Sequence, residues 1–482
     1  MMLIVKSFFI LTLIKCNVAF FSDHKEPEVE LKDDLKSSVL KNVKEKWIHQ
    51  KLDHFDENES RVWKMRYLEN DGYLSEDGGP IFIYIGGEWK ITQGWLISGH
   101  VHDMTKEFGG IMFYTEHRYY GKSHPTSNTS SDNLKYLTVQ QALADLANFI
   151  KYIKITNPKL KNSGVIVIGA SYSATMATWM RLKYPDLVNG VWSSSAPIYA
   201  KLNFYEYNEV MTESIRKIGG EKCLNRIEKA FEKLEEFVAN TEPKNLFKIE
   251  QDFNLCEPLN LTRDLQHFFY ELSDTVANLV QGHRNYDIQL ACDYITSNKI
   301  DDDVKAFSKW VIKQKREEKC IDVNYDELVS KFRNITWGAK ANEQLRQWIY
   351  QTCDSFAWFQ SGTSLNQSFG SKYPQISYFV QMCSDFYGDH FTERIIEQNV
   401  ARTNDEFGGF NPQVTNVYST HGDLDPWKAM GTMKDLSKNS PTCVLQSYAH
   451  CADLNSISTR DTDEMKESKI RVKELIKGWL KL

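Results

Sequence analysis

Val165 to Pro185 reads VIVIGASYSATMATWMRLKYP, and the fold is decided there. Val165 to Ile168 are four apolar, mostly β-branched residues, the pattern of a buried strand. Gly169-Ala170-Ser171-Tyr172-Ser173 follow, and Ala174 to Tyr184 is a helical run that Pro185 ends. Strand, small-residue turn and helix form the setting in which a G-x-S-x-G elbow presents a serine hydroxyl, and Ser171 is that serine. The last small position is Ser173 where the motif has glycine, and serine tolerates a positive φ less well. Small residues crowd many strand-to-helix turns for packing reasons, so the elbow gains meaning only from partners elsewhere in the chain.

Working outward, Val62 to Tyr67 and Gly109 to Tyr114 read as strands, Gly78-Gly79-Pro80 as a turn, and Ile81 to Ile85 (IFIYI) as a short buried strand. The last runs into Gly86-Gly87-Glu88-Trp89. In an α/β-hydrolase the loop after this early strand supplies an oxyanion-hole N–H, although a plain tight turn fits these residues equally well. Thr138 to Ile153 carries apolar residues at helical spacing, and Gly190 to Ser194 is another strand. This alternation points to a mainly parallel sheet with helices on both faces. From about Lys201 long amphipathic helical patterns take over, as in Cys223 to Val238 and Asp303 to Lys315. Six of the eight cysteines beyond Cys16 fall between Leu202 and Phe407. The expectation is a helical insertion held by disulfides. From about Asn411 the α/β texture returns: strand Val414 to Tyr418, then His421-Gly422-Asp423-Leu424-Asp425-Pro426-Trp427, strand Cys443 to Tyr448, Ala449-His450-Cys451-Ala452-Asp453, and a closing helix from Lys466 to Leu480. The expected organisation is therefore an α/β-hydrolase domain in two parts, 47–200 and 411–482, around a helical cap, 201–410.

The N-terminus, MMLIVKSFFILTLIKCNVAF, is apolar from Leu3 to Ile14 apart from Lys6, Ser7 and Thr12. It is too short and interrupted to span a bilayer and reads as a signal peptide over 1–19. Phe20 to Lys46 is charged and poor in aromatics, as a flexible leader or propeptide would be. With the signal segment set aside, Cys223, Cys256, Cys292, Cys320, Cys353, Cys383, Cys443 and Cys451 make an even number, as a disulfide-bonded secreted protein requires. No CxxC pair occurs, which argues against a zinc cluster, and nothing calls for a cofactor. Five N-x-[ST] sequons, at Asn58, Asn128, Asn260, Asn334 and Asn366, fit passage through the secretory pathway. A net charge of −6 argues against a nucleic-acid binder, whose charge is usually basic. Lysosomal or endosomal lumen and extracellular space are left open, as is a homodimer.

A serine hydroxyl is a poor nucleophile until a histidine takes its proton and an acid orients that histidine. In α/β-hydrolases these follow in the order Ser, Asp, His, the last two on loops after late strands. Here Ser171 is followed 254 residues later by Asp425 and, 25 residues further on, by His450. The first interval is long enough to hold an inserted domain. Asp423 is a competing acid, but Pro426 would fix the turn after Asp425. His421, on the same loop as Asp425, could not easily reach between acid and serine. His117 reads as a core histidine.

Gln50-Lys51-Leu52-Asp53-His54-Phe55, Arg66-Tyr67, Tyr84-Ile85-Gly86-Gly87-Glu88, Glu116-His117-Arg118-Tyr119-Tyr120-Gly121, the elbow, Leu424-Asp425-Pro426-Trp427 and Ala449-His450 together resemble the serine peptidase family of lysosomal prolyl carboxypeptidase, dipeptidyl peptidase II and thymus-specific serine protease. Tyr350-Gln351-Thr352-Cys353, Tyr378-Phe379, Cys383-Ser384-Asp385 and His450-Cys451-Ala452-Asp453 are most similar to the thymus-specific branch. The resemblance implies a cap over the site and cleavage of peptides after proline. It makes Ser171 the nucleophile, Asp425 the orienting acid and His450 the base, with Tyr172 N–H, beside a donor from the Gly87 loop, at the oxyanion. Trp427 would wall the proline pocket, a flat indole suiting a ring without an N–H. Glu88 would either hold a substrate amine or serve as a structural carboxylate. Two departures stand near the site: His421 where the family has Asn, and Trp89 where a Gly commonly follows Gly-Gly-Glu and where an indole would narrow the cleft. A cap admitting only chain ends favours exopeptidase action on a peptide substrate, from either end. The same three residues would also suit an ester or lipid hydrolase, and a hydrolase scaffold can serve as a binding protein. Cys443 and Cys451 bracket the strand that delivers His450, so a disulfide between them, or from Cys451 into the cap, is expected to pin that loop.

Overall fold

The structure is a computed structural model that describes residues 26, 27, 29 and 42–482, apart from 241, 261, 298, 316–317 and 340–343. The signal peptide expected over 1–19 lies outside the described residues.

Among the described residues eight strands form one sheet, in the order β1 (Val43–Lys51), β2 (Val62–Asn70), β4 (Ile111–Thr115), β3 (Ile81–Ile85), β5 (Val165–Ala170), β6 (Gly190–Ser194), β9 (Val417–Gly422) and β10 (Thr442–Leu445). β1 pairs antiparallel with β2, and β2 antiparallel with β4. Every pairing from β4 to β10 is parallel. All residues of β3, β4, β5 and β6 are buried, because parallel strands carry helices on both faces and read as continuous apolar runs. The period of two then sorts them. Val165 and Val167 face a core with Ala142, Leu146, Met176 and Met180 from the helices Val139–Thr156 and Tyr172–Lys183. Ile166 and Ile168 face the opposite core, with Val101 from His100–Glu107 and Val472 and Ile476 from the closing helix Asp463–Leu480. This is the α/β-hydrolase fold.

Between β6 and β9 the regular structure among the described residues is mostly helical, with a short parallel pairing of β7 (Lys201–Asn203) with β8 (Ala357–Phe359) and a bridge between Leu255 and Ile321. The disulfides Cys223–Cys292, Cys256–Cys320 and Cys353–Cys383 all lie in this cap. Cys443 and Cys451 correct the expectation: they are linked neither to each other nor to a cap cysteine. Both pack in the core that also holds Trp192, Tyr418 and Val472, where a thiol serves as a small apolar group. The loop they bracket is held by hydrogen bonds, described below.

Several boundaries differ from expectation: β9 starts at Val417 rather than Val414, β10 ends at Leu445 rather than Tyr448, and the closing helix starts at Asp463 rather than Lys466. β9 runs on to Gly422, through polar Ser419-Thr420-His421, because the sheet buries those side chains and Thr420 Oγ1 donates to Asp453. At the other end, β1 starts at Val43, inside the expected leader, since its residues through Lys51 find partners along β2. Pro27 and Val29 also touch the folded domain: the Pro27 carbonyl accepts from Trp95 Nε1 at 2.9 Å, and Val29 packs against the Trp95 core.

Candidate active site

Ser171 sits directly between β5 and the helix Tyr172–Lys183, with φ 57° and ψ −130°, a conformation that costs a non-glycine residue energy and clusters at functional sites. The turn is tight enough that a Cβ on Gly169 would lie 2.2 Å from the Ser173 carbonyl oxygen. Ser173 is helical and carries no positive φ, so the concern about its replacing glycine does not arise. Its hydroxyl instead clamps the elbow: Ala170 N–H donates to Ser173 Oγ at 2.8 Å, and Ser173 Oγ–H donates to the Ala170 carbonyl at 2.9 Å. The Ser171 N–H is taken up by the Ser194 carbonyl at 2.9 Å. The Tyr172 N–H, in the first turn of its helix, has no intrahelical acceptor and adds to the positive helix end.

The Tyr172 ring is locked beneath the elbow. His117 Nδ1 lies 2.7 Å from the Arg118 carbonyl, which can only accept, so the proton sits on Nδ1. Burial pushes the His117 pKa down to about 4, leaving the ring neutral. Its Nε2, 3.2 Å from Tyr172 Oη, therefore accepts from the tyrosine, and Gln351 Nε2 donates to that same oxygen at 2.8 Å. The core histidine expected at 117 is thus also a prop for the elbow.

Asp425 and His450 meet as expected from their order. His450 Nδ1 donates to Asp425 Oδ2 at 2.8 Å, and the Trp427 N–H donates to Asp425 Oδ1 at 3.0 Å. Pro426 opens the short helix Pro426–Met430 that Asp425 caps, which is why the acid faces that N–H. Burial works to raise the Asp425 pKa, but attraction to His450 and these hydrogen bonds outweigh it and hold it below the usual range. His450 is 1% exposed, and its Nε2 is buried with no hydrogen-bond partner among the described residues, Ser171 included. Ser171, Asp425 and His450 all follow the C-terminal ends of parallel strands, so they share one edge of the sheet.

Neither competing residue takes the place of acid or base. Asp423 pairs with Lys217 and accepts the Ser447 N–H at 2.5 Å. His421 is buried, and burial lowers its pKa to about 4; neither ring nitrogen has a partner among the described residues, and the ring packs against Gly431.

Gly87 and Ser171 each lie three residues beyond the paired Tyr84 and Ile168, on the loops that follow neighbouring parallel strands. A Cβ on Gly87 would lie 2.6 Å from the Trp89 ring. Trp89 itself is 2% exposed and donates from Nε1 to Tyr114 Oη at 2.8 Å, which ties the indole into the core rather than across the cleft. Glu88 is fully buried, near Tyr172 and Tyr120. The Trp427 indole is buried, 6.4 Å from the His450 ring and 5.6 Å from those of Trp358, Phe204 and Tyr207. Of the sequon asparagines, Asn58, Asn260, Asn334 and Asn366 are exposed; Asn128 is half-buried, its Oδ1 accepting from Ser130 N–H and Asn133 Nδ2.

Several contributors were not singled out from sequence. Asp453 accepts from Ser194 Oγ and Thr420 Oγ1, both at 2.5 Å, and so ties the chain after His450 to β6 and β9. Ser195 Oγ accepts the Cys451 N–H at 2.9 Å. Gln281 and Arg284 reach the His450 main chain from the cap. Only Asp453 stood within a quoted motif; the rest carry no local signal. The N-terminal motifs turn out to be a brace. Arg118 grips Asp145 with Nε at 2.7 Å and Nη2 at 2.9 Å, His54 Nε2 joins the same carboxylate at 2.7 Å, and Arg66 pairs with buried Glu116 at 2.8 Å.

The fold, with a strained serine elbow and a carboxylate-bound histidine at one sheet edge, defines the class as a serine hydrolase of the α/β-hydrolase type. Within that class, the serine carboxypeptidase S28 profile matches residues 50–472. The chain belongs to this family, is a serine-type peptidase and acts on peptides. It is 28% identical over 458 residues to the thymus-specific serine protease of Mus musculus, covering 91% of this chain and 88% of that one. It is 28% identical over 453 residues to the lysosomal Pro-X carboxypeptidase of Bos taurus, covering 90% and 87%. No helix among the described residues is long and apolar enough to cross a membrane.

Proposed function

We propose that this chain is a secretory-pathway exopeptidase that cleaves after proline by acyl transfer through Ser171, His450 and Asp425. The observation that carries the reading is the buried His450 imidazole, its Nδ1–H committed to Asp425 and its Nε2 lone pair without a partner among the described residues, at the sheet edge where the elbow places Ser171. Catalytic hydrogen bonds are often long before substrate binds, so the unmade Ser171–His450 bond is compatible with this role. His450 Nε2 takes the Ser171 proton as Oγ attacks the carbonyl of the scissile bond. Asp425 offsets the charge that forms on the imidazole. The oxyanion settles on the Tyr172 and Gly87 N–H groups, each such donor contributing about 3 kcal/mol. His450 returns the proton to the leaving amine, and water, activated the same way, frees Ser171.

The aromatic cluster of Trp427, Trp358, Phe204 and Tyr207, 6.4 Å from the His450 ring at Trp427, supports an apolar wall beside the base. Glu88 is the candidate for holding a substrate amine. The signal segment 1–19, the disulfide-bonded cap 201–410 and the sequons support a route to the lysosomal or endosomal lumen or outside the cell, and a relative named lysosomal points the same way. Digestion of a peptide mixture followed by mass spectrometry tests the reading: chain ends shortened after proline are expected, with fluorophosphonate labelling that Ser171→Ala abolishes. Internal cuts, or ends shortened without regard to proline, would sink the assignment of specificity; a label that survives Ser171→Ala would sink that of the nucleophile.

A further inference from the structure

His450 lies five residues past the end of β10, too far for the sheet to orient it. What holds its main chain comes from the cap. The His450 N–H donates to the Gln281 carbonyl at 3.3 Å, and the His450 carbonyl accepts from Arg284 Nη2 at 3.1 Å. Both backbone groups of the residue assigned as base are therefore satisfied from the C-terminal end of one cap helix, Thr262–Gln281, and the turn after it. Arg284 is itself fixed there, its N–H donating to Asp287 Oδ2 at 3.0 Å and its Nη1 to the His283 carbonyl at 2.8 Å.

The Gln281 side chain turns to the neighbouring pocket wall. Its Oε1 accepts from Trp427 Nε1 and from Tyr207 Oη, both at 2.7 Å. An indole N–H can only donate, so the amide oxygen must face Trp427 and its orientation is determined. The side chain is 1% exposed, and Nε2 is buried without a hydrogen-bond partner among the described residues.

We propose that Gln281 and Arg284 are positioning residues: they tie the imidazole of His450 and the indole of Trp427 to the cap, so that the seat of the cap sets both proton transfer and the reading of the residue before the scissile bond. This rests on the proposed Ser171–His450–Asp425 chemistry. The two residues divide the work. Of the site residues Arg284 bonds the His450 main chain and not Trp427, so its loss acts on every substrate. The Gln281 side chain touches only the pocket side, so its loss acts on the choice of substrate.

The test compares wild type, Gln281→Met, Arg284→Met and Arg284→Lys on two peptides that differ only in Pro or Ala before the cleaved bond. Hydrogen exchange of a peptide covering residues 446–455 is followed in the same proteins. Gln281→Met is expected to lower the Pro-over-Ala ratio of kcat/KM about tenfold. Arg284→Met is expected to lower kcat about tenfold on both peptides, with KM little changed, and to speed exchange in 446–455 but not in 165–170. Arg284→Lys, which keeps a donor, restores part of both losses. An unchanged Pro-over-Ala ratio in Gln281→Met, or unchanged kcat and exchange in Arg284→Met, overturns the proposal. So does exchange that rises throughout the sheet, since that reports general loosening. If wild type shows no Ser171-dependent fluorophosphonate label, the chemistry has failed rather than the tether, which the exchange measurement still decides.

Discussion

The two sides of the candidate site are built in opposite ways. The Ser171 side has a local clamp, the paired hydrogen bonds between Ala170 and Ser173, and a few further ties: the Ser171 N–H to Ser194 on β6, and His117 and Gln351 on the Tyr172 ring. The base side is assembled from afar. His450 draws on Asp425, on Gln281 and Arg284 of the cap, and its loop draws on Ser195, Ser194 and Thr420. Strain is also distributed over both sides, with positive φ at Ser171, Ser195 and Cys451. A local turn can present a hydroxyl by itself. An imidazole on a long loop needs several distant anchors, and its geometry is the more easily disturbed.

The largest effect expected from that contrast is at Asp425. Asp425→Asn keeps an acceptor for one partner but turns an NH2 group toward the other, forcing the wrong imidazole tautomer. Peptide hydrolysis should fall about ten-thousand-fold with the thermal midpoint little moved. Loss of only a few-fold in kcat would mean that the base side is not organised by this carboxylate.

Next comes the scaffold of the cap. Cys353 and Cys383 are 30 residues apart, and replacing both by Ser removes a cross-link whose loop entropy is about 3.5 kcal/mol. Denaturant unfolding should show that loss, and kcat should fall with it if the cap seats the base. Full activity in a destabilised cap would separate the two regions.

A pH dependence of similar size is expected from His421. Its folded pKa of about 4 lies below the unfolded value of 6.5, so the unfolded chain binds more protons between those limits. Stability therefore drains away as pH falls from 6.5 toward 4, by on the order of 3 kcal/mol from this group at most. His421→Asn should lose less stability than wild type between pH 7 and pH 4.5, read as the change in thermal midpoint. Parallel losses in the two proteins would show that the ring is not the acid-sensitive element it is taken to be.

The smallest effect belongs to the local side. Ser173→Ala leaves the buried Ala170 N–H and carbonyl without the bridging hydroxyl, a loss of about 1–3 kcal/mol in urea unfolding. Because the turn keeps its other bonds, kcat should stay within about threefold. A collapse of kcat would show that the elbow too depends on a single contact.

Much of the arrangement was legible from residue order. Apolar runs marked β3, β5 and β6 because central parallel strands are buried on both faces, and turn residues marked the elbow. The order Ser171, Asp425, His450 followed from the positions of late strands. Other features resisted. His421 hid the end of β9, since a polar side chain looks like a loop until a sheet buries it. An even cysteine count suggested pairing for Cys443 and Cys451, yet parity says nothing about distance. Gln50, His54, Arg66, Glu116 and Arg118 carried the family resemblance, but that Gln50, His54 and Arg118 close on Asp145 while Arg66 pairs with Glu116 could be known only from contacts spanning up to 95 residues.

The chain alone determined which side chains could do the chemistry and which strands would carry them, because periodicity and turn chemistry are local properties. Only the tertiary structure decided what bonds the His450 main chain: Gln281 and Arg284 lie more than 160 residues from His450 and no pattern links them. Hydrogen bonds of that kind depend on where a cap docks, and docking is a property of packed surfaces rather than of any stretch of sequence.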